Sequence, residues 1–568
     1  MSAELIQPTT ATPEPLRRRV RKWLRWTVTA IAVVVVWIAL VAPNRLDRLS
    51  FGALLRIPIE GLILVALAVV LPPRARRILA AVAGAVVGVL VILKVLDMGF
   101  IAALDRPFNP VTDLVDFGPA VGVLNDSVGP VWTTLAVIVA MLLIASVPVL
   151  LALAVVRMTG FAVEHRTASV RTVAGLTAVW LVCAVAGVAF VSGEPVASRS
   201  AADFAYTHGR AVDTAIHDQN TFKAALTAKD PFAIKPGRDL LTGLRGKDVI
   251  VAFVESYGRV AVQDTPFSKA VDGVLNEGTQ RLQAAGFSSR SAFLTSPTFG
   301  GLSWLAHSTF QSGLWIDNQR RYNDLVGSSR FTLSDAFKRA GWRTVGDVPS
   351  NTGAWRQGTS LYHYDQLYNA RNVGYKGPKF SYAAMPDQYI LSAFQRMELD
   401  KPHRAPVMAE IDLVSSHTPW APLPRMVPWD QVGDGSIFDP MPAQGQSPKA
   451  VWRHASHVQA AYGQSIQYSL NTLVSFLQNF HDDNLVLILL GDHQPATIVS
   501  GSKPGHDAPI TIIAHDPHVM DQIASWGWQD GMLPSPSAPV WPMDAFRNRF
   551  LTAFGPHPGA PVPAGRGR

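Results

Sequence analysis

The residues best suited to chemistry in this chain are Asp492 and His493, which follow the apolar run 485–490 after one glycine. That run contains β-branched residues and is bounded by Asn484 and Gly491, a pattern that predicts a buried strand of a parallel sheet. Ligands bind at the carboxyl edge of such sheets, so the pair is a candidate metal site. The alternative is that Asp492 caps a following helix while His493 lies at the surface.

A second predicted strand, residues 248–254, ends in Glu255. A glutamate there can simply be a solvated residue at the rim of the sheet. If both strands belong to one sheet, however, Glu255 shares an edge with Asp492 and His493. Carboxylate and imidazole ligands suit Zn²⁺ or Mn²⁺, and Mg²⁺ where fewer nitrogens are used. Since Cys183 is the only cysteine, any metal must be held by oxygen and nitrogen atoms.

A hydroxyl suited to attack on a phosphate or sulfate ester lies at Ser303, after the turn-forming pair Gly300 and Gly301. The residues from Ser303 onward predict the first turn of a helix, whose free N–H groups and dipole favour an incoming anion. As a lone residue, Ser303 would be a helix cap. Beside a metal it becomes a candidate nucleophile, because coordination lowers the pKa of the hydroxyl.

Composition predicts that these residues belong to a membrane-anchored chain. Of 568 residues, 48% are hydrophobic and 16% are charged, which is too apolar for a wholly soluble protein. Apolar runs at about 24–42, 53–71, 79–96, 131–156 and 173–192 each approach the ~20 residues that a bilayer core requires. Pro58 and Glu60 interrupt the second run, so the pattern does not define where it starts.

Basic residues predict the orientation of the five spans. Twelve flank the runs on one side: Arg17, Arg18, Arg19, Arg21, Lys22, Arg25, Arg74, Arg76, Arg77, Arg157, Arg166 and Arg171. The opposite loops hold only Arg45, Arg48, Arg56 and Arg106. The positive-inside rule then places the N-terminus in the cytoplasm and everything after about residue 193 outside. The net charge of +8 is thus interpreted as a topology signal rather than a sign of nucleic-acid binding.

The outer half has the pattern of an α/β domain with a central, mostly parallel sheet. The predicted strands are 248–254, 343–346, 407–414, 485–490 and 510–514, and the predicted helices include 333–340, 387–397 and 458–479. The predicted organisation is a basic disordered segment (1–22), a five-helix transmembrane domain (23–192), a helical linker (193–246), a catalytic domain (247–552) and a disordered tail (553–568).

Glu255 after the first strand, the Gly-Gly-x-Ser helix start at 300–303 and the Gly-Asp-His at 491–493 resemble motifs of the alkaline-phosphatase superfamily. The closest resemblance is to its membrane-anchored sulfatase-like transferases, namely lipoteichoic acid synthase, phosphoglycerol transferases and phosphoethanolamine transferases. The five-helix layout fits the same group, while the specific motifs are confined to about 248–515. The resemblance implies a sulfatase-like fold and a metal held by Glu255, Ser303, Asp492 and His493. One ion is expected, Mn²⁺, Zn²⁺ or Mg²⁺, and a second is left open.

The chain departs from these families at the nucleophile. Lipoteichoic acid synthase and the phosphoethanolamine transferases use a threonine directly after the glycine, where this chain has Leu302. The role is therefore assigned to Ser303, with Thr298 and Ser308 as alternatives. The Cys/Ser-x-Pro-x-Arg motif of formylglycine sulfatases does not occur, so arylsulfatase chemistry of that kind is not expected.

The resemblance also implies substrate-binding residues. His417, at the end of a predicted strand, would bind the transferred group or a second zinc and act in catalysis. His506, thirteen residues after His493, would bind substrate phosphate or join His417 in a second metal site. Trp355 and Arg356 resemble a headgroup contact, since arginine binds phosphate bidentately and tryptophan stacks. The alternatives are two exposed loop histidines and an exposed structural pair.

The predicted function is a transferase that moves a phospho-headgroup from a membrane phospholipid to an envelope glycan or lipid through a covalent phospho-enzyme. An extracytoplasmic phosphodiesterase or sulfatase-type hydrolase is one alternative, and a metal-free envelope scaffold is another. No Gly-x-x-x-x-Gly-Lys-Ser/Thr occurs and no Gly-x-Gly-x-x-Gly lies at a strand end, so no nucleotide is expected as a partner. No nucleic acid is expected either, because the basic residues cluster beside the apolar runs and in the two tails.

Overall fold

A computed structural model describes residues 16–191, 193–353, 355–501 and 504–556. The predicted disordered ends fall largely outside these residues, although a helix already begins at Leu16 and Phe554 is still buried. The chain forms two compact units. The first comprises the residues up to Ala215 apart from Ala103–Asp105, and the second comprises Ala103–Asp105 and the residues from Ile216 onward.

Helices dominate the first unit and the segment that follows it. They are α1 (Leu16–Val41), α2 (Phe51–Leu54), α3 (Ile59–Val70), α4 (Pro73–Leu104), α5 (Phe117–Val128), α6 (Pro130–Glu164), α7 (Arg166–Ala186) and α8 (Ser200–Thr227). Four short strands accompany them: β1 (Ile57–Pro58), β2 (Ala189–Val191), β3 (Glu194–Pro195) and β4 (Ala197–Ser198). Among the described residues, α1, α4, α6 and α7 are long and apolar enough to cross a membrane.

The second predicted span is shorter than expected. Ile57 and Pro58 pair in parallel with Ala197 and Ser198, so helix α3 begins only at Ile59 and has 12 residues. At 1.5 Å per residue it is about 18 Å long, against a hydrocarbon core of ~30 Å. The prediction of five spans therefore becomes four long apolar helices and one short one.

The second unit contains the predicted α/β architecture. Its helices are α9 (Ser268–Ala284), α10 (Ser303–Ser312), α11 (Gln319–Val326), α12 (Leu333–Arg339), α13 (Arg356–Ser360), α14 (Asp387–Phe394), α15 (Met441–Gln444), α16 (Pro448–Val451), α17 (Ala455–Asn479), α18 (Thr497–Ser500), α19 (Pro517–Gln522) and α20 (Met543–Ala553). Its strands are β5 (Asp248–Val254), β6 (Ser288–Thr295), β7 (Arg343–Val348), β8 (Gln366–Asn369), β9 (Val407–Leu413), β10 (Leu485–Gly491), β11 (Asp507–Ala514), β12 (Gln529–Asp530) and β13 (Val540–Pro542).

These nine strands form one sheet in the order β12-β6-β11-β10-β5-β9-β7-β8, with β13 also paired to β6. The pairs β10–β5, β5–β9, β9–β7, β7–β8 and β13–β6 are parallel, whereas β11 runs antiparallel to β10 and β6, and β12 runs antiparallel to β6. The predicted mostly parallel sheet is confirmed, and all five predicted strands are present. The strands β6, β8, β12 and β13 were not predicted.

The central strands are buried on both faces. Val249, Val251 and Phe253 of β5 pack into one hydrophobic cluster with helices α10, α12 and α20, while the alternate residues of β5 pack into another with α9, α14 and α17. Every residue of β5 and β10 is buried, which is why both appear in the sequence as continuous apolar runs. Each large aliphatic side chain so buried contributes about 1.5–3 kcal/mol.

Candidate functional site

The parallel pairing of β5 and β10 brings the strand-end residues together. Val254 is paired with Gly491, so the next residues along the two strands, Glu255 and Asp492, lie side by side at the carboxyl edge of the sheet. Candidate ligand atoms of Glu255, Asp492 and His493 all lie within 4.8 Å of one another. The hypothesis that Asp492 is a cap and His493 a surface residue is not supported, because both are fully buried.

Two glycines allow the loops after β5 and β10 to meet. A Cβ on Gly491 would lie 1.8 Å from the carbonyl oxygen of Tyr257, and one on Gly258 would lie 2.0 Å from the side-chain oxygen of Gln494. Any larger residue would push the two strand ends apart. The close approach of Glu255 and Asp492 therefore depends on glycine at both positions.

The two oxygens of Asp492 have different surroundings. Oδ1 accepts hydrogen bonds from the backbone N–H groups of Ser256 at 2.7 Å and His493 at 2.8 Å. Oδ2 is buried without a hydrogen-bond partner and lies 3.3 Å from His493 Nε2. A buried carboxylate oxygen without a partner is costly, and a cation bound here would satisfy it.

The orientation of His493 suits a metal ligand. Its Nδ1 lies 2.8 Å from the carbonyl oxygen of Gln494, and because a carbonyl only accepts, Nδ1 carries the proton of the neutral ring. The lone pair of Nε2 is then directed at Asp492 Oδ2, Glu255 Oε1 at 3.4 Å and Ser303 Oγ at 3.2 Å.

Ser303 is the first residue of α10, and its hydroxyl donates to Glu255 Oε2 at 3.0 Å. The preceding N-cap residue, Leu302, has a left-handed backbone with φ +64° and makes no side-chain capping bond. The two alternative nucleophiles are engaged elsewhere: Thr298 donates to the carbonyl of Gly301 at 2.7 Å, and the buried Ser308 donates to that of Leu305 at 3.0 Å.

The pKa values of Glu255 and Asp492 are shifted in opposite directions. Burial acts against ionisation of Glu255, but attraction to His417 and His493 in their protonated forms and a hydrogen bond from Ser256 outweigh it and lower its pKa. Burial raises the pKa of Asp492, and the adjacent negative charge of Glu255 raises it further. Two neighbouring carboxylates in a desolvated site repel each other, and a divalent cation relieves that repulsion.

His417 lies in the loop after β9, directly after Ser416, whose hydroxyl donates to the carbonyl oxygen of Glu255 at 2.7 Å. Its ring stacks on Tyr382 with centroids 3.5 Å apart and an angle of 10°. Its Nδ1 lies 2.6 Å from the carbonyl of Thr418, which leaves Nε2 as the unprotonated nitrogen of the neutral ring.

The other predicted substrate-binding residues have contacts of their own. Trp355 packs against Tyr362 with ring centroids 5.4 Å apart, and Arg356 is exposed at the start of α13. His506 precedes β11 and lies 5.6 Å from the ring of Phe299. Within the described part of the chain, Arg356 and His506 make no hydrogen bond or ion pair to Glu255, Asp492 or His493.

A second cluster of ligand-type side chains was missed by sequence analysis. His307 Nδ1 lies 3.0 Å from Glu410 Oε1 and 3.4 Å from Asp412 Oδ1, and its ring stacks on Phe253 with centroids 3.8 Å apart. The signal was present: Ser303 and His307 are four residues apart on one helix, and the two acids alternate along a strand. Their meeting depends on how α10 packs on the sheet.

No family model matches the chain, and no curated protein matches it either. The chain is similar in part to solved structures of the kinds that its motifs resemble. The lipoteichoic acid synthase LtaP from Listeria monocytogenes is 13% identical, with a TM-score of 0.37 over 56% of this chain and 74% of its own. A protein in the alkaline phosphatase superfamily from Vibrio parahaemolyticus is 15% identical, with a TM-score of 0.35 over 60% and 75%. The Streptococcus pyogenes phosphoglycerol transferase GacH is 12% identical, with a TM-score of 0.35 over 59% and 92%.

Proposed function

We propose that this protein is a metal-dependent transferase that moves a phospho-headgroup from a membrane lipid to an envelope glycan or lipid, with Ser303 as its nucleophile. One observation carries the proposal: the Ser303 hydroxyl lies 3.0 Å from Glu255 Oε2 and 3.2 Å from His493 Nε2, beside the unpartnered Oδ2 of Asp492. The transferred group is phosphoglycerol or phosphoethanolamine, as in the families that the motifs resemble.

Glu255, Ser303, Asp492 and His493 would hold the cation. Their closest ligand atoms are separated by 3.0–3.4 Å, and ligands placed tetrahedrally at 2.0–2.1 Å from a metal are about 3.3 Å apart. When bound, the cation supplies positive charge that lowers the pKa of the Ser303 hydroxyl and offsets charge on the phosphoryl oxygens.

In the first half-reaction, Ser303 Oγ attacks the phosphorus of the lipid headgroup. The Oγ–P bond forms as the bond between phosphorus and the lipid oxygen breaks, and the departing oxygen takes up a proton to give the free lipid alcohol. Nε2 of His417, unprotonated in the neutral ring, is the atom proposed to take up the proton that Ser303 loses and to pass it to the departing oxygen. In the second half-reaction, a hydroxyl of the acceptor attacks phosphorus as the Oγ–P bond breaks, and the proton of that hydroxyl returns to Ser303.

The four long apolar helices support a multi-pass membrane anchor, and the distribution of basic residues supports a catalytic unit outside the cytoplasm. Anchoring holds the site among lipid headgroups and so raises their effective concentration. An outer location also fits a donor that carries its own activated headgroup, since the chain has no nucleotide-binding motif.

The test uses the full-length protein in detergent, incubated with phosphatidylglycerol and phosphatidylethanolamine, quenched in acid and digested. The peptide carrying Ser303 should gain the mass of phosphoglycerol or phosphoethanolamine, and the Ser303→Ala protein should gain none. An adduct on another residue would overturn the assignment of the nucleophile. Headgroup release that is unchanged by added acceptor glycan would identify a hydrolase instead, and a protein without bound metal or adduct would be the scaffold.

A further inference from the structure

We propose that His307, Glu410 and Asp412 bind a second divalent cation beside the Glu255–Asp492–His493 site. The proposal deepens the proposed function and rests on it only for the role of that cation. Candidate ligand atoms of the three residues lie within 4.8 Å of one another. Neither His417 nor His506, the two residues considered above for a second metal site, belongs to this cluster.

The fold places the two clusters next to each other. His307 lies one turn after Ser303 on α10, and Glu410 and Asp412 alternate along β9, so their side chains are on the same face of the sheet. Strand β9 is the parallel neighbour of β5, with Asp412 paired to Phe253, two residues before Glu255. The two clusters are therefore one helical turn and one strand apart.

The distances suit a metal as well as they suit hydrogen bonds. His307 Nδ1 is 3.0 Å from Glu410 Oε1 and 3.4 Å from Asp412 Oδ1, close to the separation of about 3.3 Å between ligands of a tetrahedral ion. Stacking of the imidazole on Phe253, with centroids 3.8 Å apart and an angle of 15°, fixes the ring so that Nδ1 is directed at both carboxylates.

An unpartnered buried oxygen points to a missing ligand. Asp412 Oδ1 is buried and has no hydrogen-bond partner, since its approach to His307 does not have hydrogen-bond geometry. The Asp412 side chain as a whole is 26% exposed, so its exposed area belongs to atoms other than Oδ1. That opening provides an entry path for an ion to an oxygen that nothing else satisfies.

Buried donors orient Glu410 as outer-shell groups orient metal ligands. Glu410 is 4% exposed, and its Oε2 accepts hydrogen bonds from the hydroxyl of Tyr364 at 3.0 Å and from the side-chain amide of Gln311. Gln311 is held in turn, because its oxygen accepts from the backbone N–H of Ser334 at 3.0 Å. These contacts leave Oε1 directed at His307.

Charge balance gives the cation its role. Glu255, Asp492, Glu410 and Asp412 place four carboxylates at one sheet edge, and a phosphodiester substrate adds a fifth negative charge. One divalent ion offsets two of these charges, and a protonated His307 offsets one more. A second divalent ion offsets the Glu410–Asp412 pair completely, which makes entry of the substrate anion less unfavourable in a desolvated site.

The experiment counts metal ions in the full-length protein in detergent. An exposed third group, His481, Asp483 and His515, could bind metal adventitiously, so every sample carries His481→Ala and His515→Ala. After chelation and equilibration with Zn²⁺, mass spectrometry of the metal should give two ions per chain in this background. Asp412→Asn and, separately, Glu255→Gln should each leave one. The proposal would be overturned if the background protein bound a single ion and the Asp412→Asn variant still bound it.

A second measurement needs no substitution in either cluster. When the same background is loaded with Mn²⁺, two ions at neighbouring sites should give a spin-coupled paramagnetic resonance spectrum, whereas isolated Mn²⁺ alone would overturn the proposal. The adduct on Ser303 separates this outcome from that of the proposed function. Two bound ions without an adduct would contradict the proposed transferase function and support the second metal site. An adduct formed by protein with one bound ion would support the transferase function and contradict the second metal site.

Discussion

The hydroxyl of Ser303 donates a hydrogen bond to Glu255 Oε2 at 3.0 Å, although 48 residues separate the two in the chain. The contact arises because β5 ends at Val254 while α10 begins at Ser303, both at the carboxyl edge of the sheet. Among the three hydroxyls considered as nucleophiles, Ser303 has this contact. Thr298 and Ser308 donate instead to backbone carbonyls of their own segments.

Replacing Ser303 by alanine should abolish the covalent adduct and lower headgroup transfer by about 10³-fold or more, because a residue acting through its own oxygen has no substitute. The matched control is Ser308→Ala, which removes a hydroxyl one turn along the same helix and should change the rate by less than about threefold. Transfer is measured with labelled phospholipid. Comparable losses in the two variants would argue for a folding effect instead of a chemical one.

Asp492→Asn should have opposite effects with and without metal. In the metal-free protein, the new amide can donate to His493 Nε2 at the place of the unpartnered Oδ2, 3.3 Å away, which should stabilise the fold by about 1 kcal/mol. With Zn²⁺ present, the variant should lack the stabilisation that tight binding gives the wild type. Thermal melting in chelator and in Zn²⁺ measures both. A variant that melts lower in chelator would show that Oδ2 already has a partner.

Gly491→Ala tests the contact between the strand ends. Its Cβ would lie 1.8 Å from the backbone oxygen of Tyr257, so β10 and β5 must separate at the metal ligands. We expect a loss of about 3 kcal/mol or more, together with loss of metal binding. Gly273→Ala is the control, because that exposed position in α9 has open space around it, and alanine there should stabilise the helix by about 0.5–1 kcal/mol.

Much of the sheet could be predicted from the sequence because its central strands are buried on both faces. β5 and β10 are unbroken apolar runs, and the prediction of β5 has the same bounds as the strand itself. β6 was not predicted because its first half is Ser288-Ser-Arg-Ser, a polar sequence typical of a loop, and only its pairing with β11 makes it a strand. Helix α3 was predicted too long because the pairing of Ile57 and Pro58 with a distant strand leaves no trace in local hydropathy.

Metal-ligand candidates could be predicted where they end a strand. Glu255 and Asp492 each follow an apolar run, and a parallel sheet makes such ends converge. Glu410 and Asp412 lie within β9, among Val, Met, Ala, Ile and Leu, and their two-residue spacing indicates only that they share a face of the sheet. Only the packing of α10 on the sheet brings His307 to them, and that tertiary contact has no local sequence pattern.

The stacked pair of Tyr382 and His417 should position the imidazole for the leaving group. Tyr382→Ala removes the ring that lies 3.5 Å away, so His417 should gain rotamer freedom and kcat should fall about tenfold while KM changes less. Tyr382→Phe keeps the ring and should keep most of the activity. A phenylalanine variant as impaired as the alanine variant would assign the effect to the hydroxyl of Tyr382.

Stability of the second unit should depend on pH through Glu398. Its carboxylate is fully buried. It accepts hydrogen bonds from Nε and Nη2 of Arg343 at 2.7 and 2.9 Å and from the hydroxyl of Tyr368 at 2.6 Å. Burial acts against its charge, but the hydrogen bonds from Arg343 and Tyr368 outweigh it and lower its pKa. Because the folded pKa lies below the unfolded one, this stabilisation is present above the unfolded pKa and is lost as the pH falls through the folded pKa.

Glu398→Gln should therefore lower the free energy of unfolding by about 2 kcal/mol at pH 7. The difference from wild type should shrink as the pH falls below about 4, where the wild-type carboxyl also becomes protonated. Melting of the full-length protein, followed by tryptophan fluorescence from pH 7 down to the acid transition, gives both quantities. Glu277→Gln is the control, since that 71% exposed side chain lies 3.9 Å from Arg281 and should contribute less than about 0.5 kcal/mol. If the Glu398→Gln difference stayed constant with pH, the Arg343 contact would act through packing, because an ionic contribution cannot survive protonation of its carboxylate.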